Sequence, residues 1–400
     1  MNVVCVAPGV RALLALVVAA GCALTTGCAQ APPARVDLTV LHDEFFAPVA
    51  PVDTHAVFEL SPAMKVYADS ELKALARMKD PRRALLEALY QKGRLRLEYD
   101  SSFTRTAAQA FEARSGNCLS LVIMTASFAR YLGIDVSFQA VLAENIYSRN
   151  GPLFVASGHV NLVLGPPVRR AYDRHETETL VVDFLAQSEL RGQRTRPLQE
   201  RTVLAMFLNN RAAELLAQGQ LPGAYAHARS ALLLEPTHHN ALNTLGVIYN
   251  SAGHTAAAGA AFREVLAEEP DHLGALSNLV GWHQRQGHGQ EAAALAARLE
   301  QLQPNPPFKL FVQGLEAMRS GDFTTARDLL ARELRLQPFQ DEVHFWLAQA
   351  YLKLGQTGAA ERHLQQARDL SNTRSMHDRY SAKLEHLRSQ LPPQTSTLMH

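Results

Sequence analysis

A period of 34 residues runs through the second half of the chain and constrains its fold more than any other feature. Prolines and glycines each recur at this spacing, and alanines keep a third register with the same period. Three residue types that share one period predict a stacked array of similar units rather than one continuous core. The registers are Pro236, Pro270, Pro304 and Pro338; Gly219, Gly253, Gly287, Gly321 and Gly355; and Ala224, Ala258, Ala292, Ala326 and Ala360.

Each recurring residue type suits one place in a pair of helices. Glycine allows the tight turn after the first helix, alanine lets the second helix approach its partner closely, and proline ends the pair. The pattern resembles the tetratricopeptide repeat, and the unit from His239 to His272 matches it best. The resemblance implies an all-α solenoid of five repeats over residues 201–372, a capping helix and tail over 373–400, and a concave groove for protein or peptide partners.

Three cations recur at one position of the first helix of successive repeats, namely Arg285, Arg319 and Lys353. They predict a ladder along the groove that would bind a carboxylate-bearing peptide. The alternative is that cations near a helix C-terminus only complement the helix dipole. Three nearby aromatic residues are interpreted either as apolar anchors for the peptide or as core: Phe308, Phe311 and Phe345.

The first 27 residues predict an export signal, because Arg11 is followed by a short apolar run and then by small residues. Small residues directly before Cys28 resemble a bacterial lipobox, which implies lipidation of this cysteine. Cys22 is a second, poorer site, and an uncleaved membrane anchor is the alternative. By the same resemblance, Ala29 indicates a lipid-anchored protein of the bacterial cell envelope, on the outer membrane and facing the periplasm.

Composition limits the classes of function. The chain has 39 Lys and Arg against 38 Asp and Glu, so no global field indicates nucleic acid as a partner. No motif indicates a cofactor, and the histidines lack the spacing of a zinc site. With 400 residues and 47% hydrophobic content, the chain is expected to form two domains. The first domain covers residues 56–200, the repeats form the second, and residues 28–55 are expected to be a tether before them.

Cys118 is the one cysteine that would keep a free thiol after the signal is removed and Cys28 is lipidated. A solitary thiol in an oxidising compartment is expected to be either buried or functional. It is predicted to open a helix that runs to Leu132, where the positive helix end favours a thiolate. His159 lies on a predicted strand beyond it. Asp183 interrupts the apolar run of a later strand, where a buried carboxylate needs a cationic or N–H partner.

A cysteine that opens a helix, with a histidine and an aspartate on following strands, resembles the transglutaminase-like branch of the papain-related fold. The motif residues are Gly116-Asn117-Cys118, Gly158-His159-Val160 and Val182-Asp183, within about residues 103–185. The resemblance implies an α+β domain in which Cys118 attacks an amide carbonyl and forms a thioester. It also implies that His159 is the general base and then the acid, and that Asp183 orients the imidazole.

Structural alternatives stay open at this stage. Cys118 can be a small buried hydrophobe, His159 a structural histidine and Asp183 a turn or cap residue. Two functions therefore compete: a cysteine protease, amidase or acyl transferase whose repeats recruit the substrate, and a non-catalytic membrane-tethered scaffold. The sequence does not choose between hydrolysis and amine transfer, and Asn117 is only a candidate for a second oxyanion donor.

Overall fold

The computed structural model shows an N-terminal region of helices, a four-stranded sheet and a separate pair of short strands, followed by helices alone in the described part of the chain after Gln199. Among all the residues that the structure describes, no helix has both the length and the hydrophobicity that a membrane crossing requires. The export signal and Cys28 lie outside the described residues. The described residues are 38–46, 51–90, 95, 97–100, 103–150, 153–167, 179–184, 194–304, 306, 308–338, 340–371 and 374–390.

Short helices precede the sheet. Ser61 begins the first of them, because its hydroxyl oxygen accepts the backbone N–H of Met64 at 3.3 Å. A π-turn over Ala68–Leu72 separates the first two of these helices. The helices are α1 (Pro62–Tyr67), α2 (Lys73–Ala76), α3 (Pro81–Tyr90) and α4 (Ala107–Ala113).

A four-stranded antiparallel sheet follows the helix α5 (Cys118–Tyr131), which packs against two of its strands. The strand order is β5-β4-β3-β6, and a separate parallel pair, β1 and β2, lies just before α5. β3 and β4 pair on both sides of a register shift between Val141 and Ile146. Antiparallel neighbours thus satisfy each other's backbone groups along most of this hairpin. The strands are β1 (Glu98–Tyr99), β2 (Ser115–Gly116), β3 (Ile134–Asn150), β4 (Leu153–Pro167), β5 (Leu180–Val182) and β6 (Arg194–Leu198).

Five consecutive helix pairs make up the described chain from residue 200 to residue 370. The glycine between the two helices of each pair has a positive φ, from +74° at Gly219 to +86° at Gly253. L side chains rarely adopt this conformation, so the recurring glycine has the predicted physical cause. The pairs are α6 (Glu200–Ala217) with α7 (Leu221–Leu234), α8 (His239–Ser251) with α9 (Thr255–Glu268), α10 (Leu273–Arg285) with α11 (Gly289–Leu302), α12 (Lys309–Ser320) with α13 (Phe323–Leu336), and α14 (Asp341–Lys353) with α15 (Thr357–Leu370).

A last helix, α16 (Arg374–Gln390), covers the apolar face of the final pair. It buries Tyr380 and Leu384 against Phe345. Phe308 and Phe311 are buried likewise, at 3% and 0% exposure. The three phenylalanines are therefore core residues, and the interpretation that they anchor a peptide was wrong.

Candidate active site

Cys118 is the first residue of α5, and its thiol is free and partly exposed. Asn117 is the cap of this helix: its side-chain oxygen accepts the backbone N–H of Ser120 at 2.9 Å and the Ser120 hydroxyl at 2.8 Å. The residues after Cys118, from Leu119 to Ala129, are buried. The sulfur therefore stands at the positive end of a buried helix and remains accessible, unlike a cysteine that only fills the core.

His159 and Asp183 meet because β4 pairs with β5. The register places Leu162 opposite Val182, so Asp183, the residue that follows β5, comes opposite Asn161, and His159 is the next residue of β4 on the same face. Nε2 of His159 lies 2.8 Å from Oδ1 and 2.9 Å from Oδ2 of Asp183. The imidazole is 2% exposed and is therefore held in place by packing as well as by the carboxylate.

The second ring nitrogen of His159 is turned away from Asp183. Among the described residues, buried Nδ1 has no hydrogen-bond partner. Burial lowers the pKa of His159, but the interactions of the ring with Asp183 and then with the Cys118 side chain outweigh it and raise the pKa to about 9. Cys118 is thus close enough to affect the pKa of the ring, although Nδ1 forms no hydrogen bond with it. At neutral pH the ring is an imidazolium.

Asn161 completes the cluster, and sequence analysis assigned it no role. Its Nδ2 donates to Oδ2 of Asp183 at 3.3 Å, and Asn161 is 4% exposed. Alternation along a strand puts Asn161 on the same face as His159, which was the available signal. Asn161 therefore helps to fix the carboxylate that orients the ring.

A short chain of hydrogen bonds connects the start of α5 with the first repeat. The Asn117 amide donates to Oγ1 of Thr104 at 2.8 Å, and the backbone N–H of Thr104 donates to Oε1 of Glu214 at 2.6 Å. Burial raises the pKa of Glu214 against the effect of these bonds. These bonds fix the orientation of the Asn117 amide, and its candidate role as a second oxyanion donor stays a prediction.

The three predicted groove cations have surface contacts of their own. Arg285 donates to Oδ1 of Asn250 at 3.2 Å, and Arg319 pairs with Glu316 at 3.2 Å. Lys353 is exposed at the end of α14. These contacts are compatible with either interpretation, so the peptide ladder stays a prediction. The described residues contain no group of three or more metal-ligating side chains.

Comparison with known proteins places the helical half in a class. The tetratricopeptide-repeat family model matches residues 209–273 and 311–374. The chain from roughly residue 200 to residue 390 is therefore a tetratricopeptide-repeat solenoid, a type of domain that commonly binds protein or peptide partners. The residues matched by the family model all lie outside the Cys118 site. No protein of curated function matches the chain.

Solved structures of repeat proteins resemble parts of the chain. For pilF of Pseudomonas aeruginosa the identity is 20%, over 48% of this chain and 96% of the other, with a TM-score of 0.27. A thermophilic tetratricopeptide protein of Thermus thermophilus is 21% identical over 45% and 99%, with a TM-score of 0.30. A repeat protein of Parabacteroides merdae is 16% identical over 47% and 73%, with a TM-score of 0.28. Such low scores carry no conclusion about function.

Proposed function

We propose that this protein binds a protein or peptide partner through its repeats and attacks an amide or related acyl group of that partner with Cys118. The observation that carries the proposal is the placement of His159. Asp183 holds one nitrogen of its ring, and the other nitrogen is buried without a partner while the ring interacts with Cys118. This is the arrangement that a transglutaminase-like or papain-related cysteine enzyme would need.

The proposed reaction has two steps. The Cys118 sulfur, whose proton lies on Nδ1 of His159, forms a bond to the carbonyl carbon as the carbonyl double bond opens, and N–H groups at the start of α5 stabilise the resulting oxyanion. The C–N bond then breaks, the amine leaves with a proton from Nδ1 of His159, and a thioester remains. Water or a second amine, deprotonated by His159, attacks the thioester and releases Cys118. Asp183 keeps the ring oriented in both steps.

A second candidate is a non-catalytic scaffold that only binds partners. The family match favours this candidate, since it covers repeats alone. In this case the buried pair of His159 and Asp183 stabilises the sheet, and Cys118 has no chemical role. Under either candidate, the predicted lipid on Cys28 would hold the protein at the bacterial envelope, facing the periplasm from the outer membrane.

Alkylation of Cys118 separates the two candidates. We expect iodoacetamide to label Cys118 at pH 7 at least about tenfold faster than it labels a free cysteine peptide, because a nucleophilic cysteine with an acid–base histidine beside it reacts faster than an isolated one. His159→Ala should remove the enhancement, whereas His377→Ala, a change at an exposed histidine, should keep it. A peptide fluoromethylketone that forms a thioether with Cys118 would support attack on acyl groups. Labelling no faster than that of the free peptide would favour the scaffold.

A further inference from the structure

Residues 38–46 lie against the first two repeats. This segment forms two short 3₁₀ turns, Leu38–Val40 and Asp43–Phe45. Its contacts are with side chains from α7, from α8 and from the turn before α9, none of which belongs to the Cys118 site. A part of the chain whose composition predicts a tether is therefore recognised by the solenoid.

The carboxylate of Asp43 is bound by two side chains of α7. Arg229 donates from Nε to Oδ1 at 2.7 Å and from Nη2 to Oδ2 at 3.0 Å. The Tyr225 hydroxyl donates to Oδ1 at 2.6 Å. The bonds from Arg229 and then from Tyr225 lower the pKa of Asp43. Such a fork contact selects a carboxylate by geometry as well as by charge.

Tyr249 of α8 recognises the backbone of the same segment. Its hydroxyl donates to the carbonyl oxygen of Val40 at 2.7 Å and accepts the backbone N–H of His42 at 3.0 Å. One side chain thus satisfies a donor and an acceptor that lie two residues apart. This contact fixes the path of the segment without depending on its side chains.

Two phenylalanines of the segment stack on rings of the repeats. Phe45 lies on His254 with 3.7 Å between ring centroids and 11° between planes. Phe46 lies on Tyr225 at 4.3 Å and 17°. Aromatic stacking adds attraction beyond the burial of area. The solenoid therefore contacts an acid, a stretch of backbone and an aromatic pair in fixed order.

We propose that Tyr225, Arg229, Tyr249 and His254 form a peptide-binding site for segments of the type Asp-x-Phe-Phe. The chain's own residues 38–46 fill this site as a tethered ligand. A partner protein that carries an exposed segment with a carboxylate followed two and three residues later by aromatic rings would displace it. The proposal does not rest on the chemistry of Cys118.

The contacts of the segment are suited to exchange. The side chain of Asp43 is 60% exposed and that of Arg229 is 38% exposed, so the ion pair can open without unfolding of the repeats. The four side chains of the site stand on or next to packed helices and would stay in place when the segment leaves. Because the tether gives residues 38–46 a high effective concentration, a competing segment must bind tightly or be held nearby.

Fluorescence anisotropy with a labelled peptide of residues 38–46 tests the proposal on the full chain. The test chain carries both Asp43→Ala and Phe46→Ala, which weaken the binding of its own residues 38–46 to the site. We expect the peptide to bind this chain at least about tenfold more tightly than the wild type, in which the site is filled. Adding Arg229→Ala to the test chain, or changing the aspartate of the peptide to asparagine, should weaken binding at least about tenfold.

Matched controls separate recognition from folding. Tyr249→Phe keeps the ring and removes the hydroxyl, so it should weaken peptide binding while circular dichroism stays unchanged. Arg298→Ala, at an exposed arginine paired with Asp271, should leave binding unchanged. Equal peptide binding by the wild type and the test chain would overturn the proposal. A wild-type dimer that Arg229→Ala converts to a monomer would also overturn it, because the occupant would then be a second copy.

Discussion

Two buried clusters, one in the repeats and one in the sheet half, satisfy their polar groups differently. In the repeats, the carboxylate of Glu333 is 1% exposed and accepts three backbone N–H groups around the start of α12. The donors are Phe308 at 2.9 Å, Leu310 at 3.1 Å and Phe311 at 3.3 Å. Glu333 therefore caps a helix from its neighbour, and its bonds serve the fold.

In the sheet half, the buried side chains around Asp183 bind one another. His159 and Asn161 share the carboxylate of Asp183, while His159 Nδ1 and Asn161 Oδ1 have no partner among the described residues. A buried polar atom without a partner reduces stability, so it needs a reason. Of these two clusters, the one bonded to backbone holds the fold, and the incompletely satisfied one is the proposed place of reaction.

The largest expected effect is that of Asp183→Asn on the sheet half. We expect acylation of Cys118 by a peptide ester to fall by about 10²–10⁴-fold, because the imidazole loses its orienting anion. The pKa of His159 should fall from about 9 towards 6.5, since Asp183 is the largest raising cause. NMR titration of the ring measures this change. Asp378→Asn, at an exposed aspartate, is the control. A titration unchanged by Asp183→Asn would contradict the comparison.

Glu333→Ala tests the other half. Three N–H groups at the start of α12 would lose their acceptor, and we expect the free energy of unfolding to fall by about 2–3 kcal/mol in urea denaturation. The alkylation rate of Cys118 should not change, because Glu333 serves the fold alone. Glu316→Ala removes an exposed carboxylate and should cost little. Equal losses from the two variants would show that the cap does not stabilise the solenoid.

The next effect concerns close packing within one repeat. A Cβ at Gly246 would lie 2.5 Å from Cε1 of Phe262, so Gly246→Ala forces the buried ring to move. We expect a loss of about 1–3 kcal/mol. At Gly289 a Cβ has nothing within 4 Å, and Gly289→Ala should be neutral or slightly stabilising. Similar unfolding curves for the two variants would contradict this explanation of the glycine.

Local determinants explain why the repeats could be predicted from the sequence. Gly253 needs its positive φ within its own turn, and Ala258 is buried within its own helix pair. The same residue types recur every 34 residues, so each repeat independently supports the helix assignment of the others. The family match confirms the repeat prediction.

The candidate site depends on pairings that no local pattern reveals. The order Cys118, His159, Asp183 was visible, but only the β4–β5 register decides that the carboxylate faces the ring. The contact of Asp43 with Arg229 spans 186 residues and has no periodic signal. Long-range side-chain contacts of this kind are the part that sequence reasoning missed, and the catalytic role of the site stays a prediction.

The smallest expected effect is a pH dependence that distinguishes the two halves. His344 Nδ1 lies 2.9 Å from His363 Nδ1, and His344 Nε2 donates to the carbonyl oxygen of Pro338 at 3.2 Å. Nδ1 of His344 therefore accepts the Nδ1–H of His363, and this hydrogen bond needs a neutral His344. Burial is the largest cause that lowers the pKa of each ring, and that of His363 falls to about 4.

Because these pKa values are depressed in the folded state, their contribution to stability is present above pH 6.5 and is lost as the pH falls towards about 4. The raised pKa of His159 works in the opposite direction: its contribution is present below pH 6.5 and is lost as the pH rises through about 9. We expect Tm to fall by a few degrees as the pH falls from 6.5 towards about 4. The His363→Gln variant should reduce this fall and leave Tm at high pH unchanged. His377→Gln is the exposed control. If Tm falls equally at low pH in His363→Gln and in the wild type, then buried groups other than this histidine pair set the acid sensitivity of the solenoid.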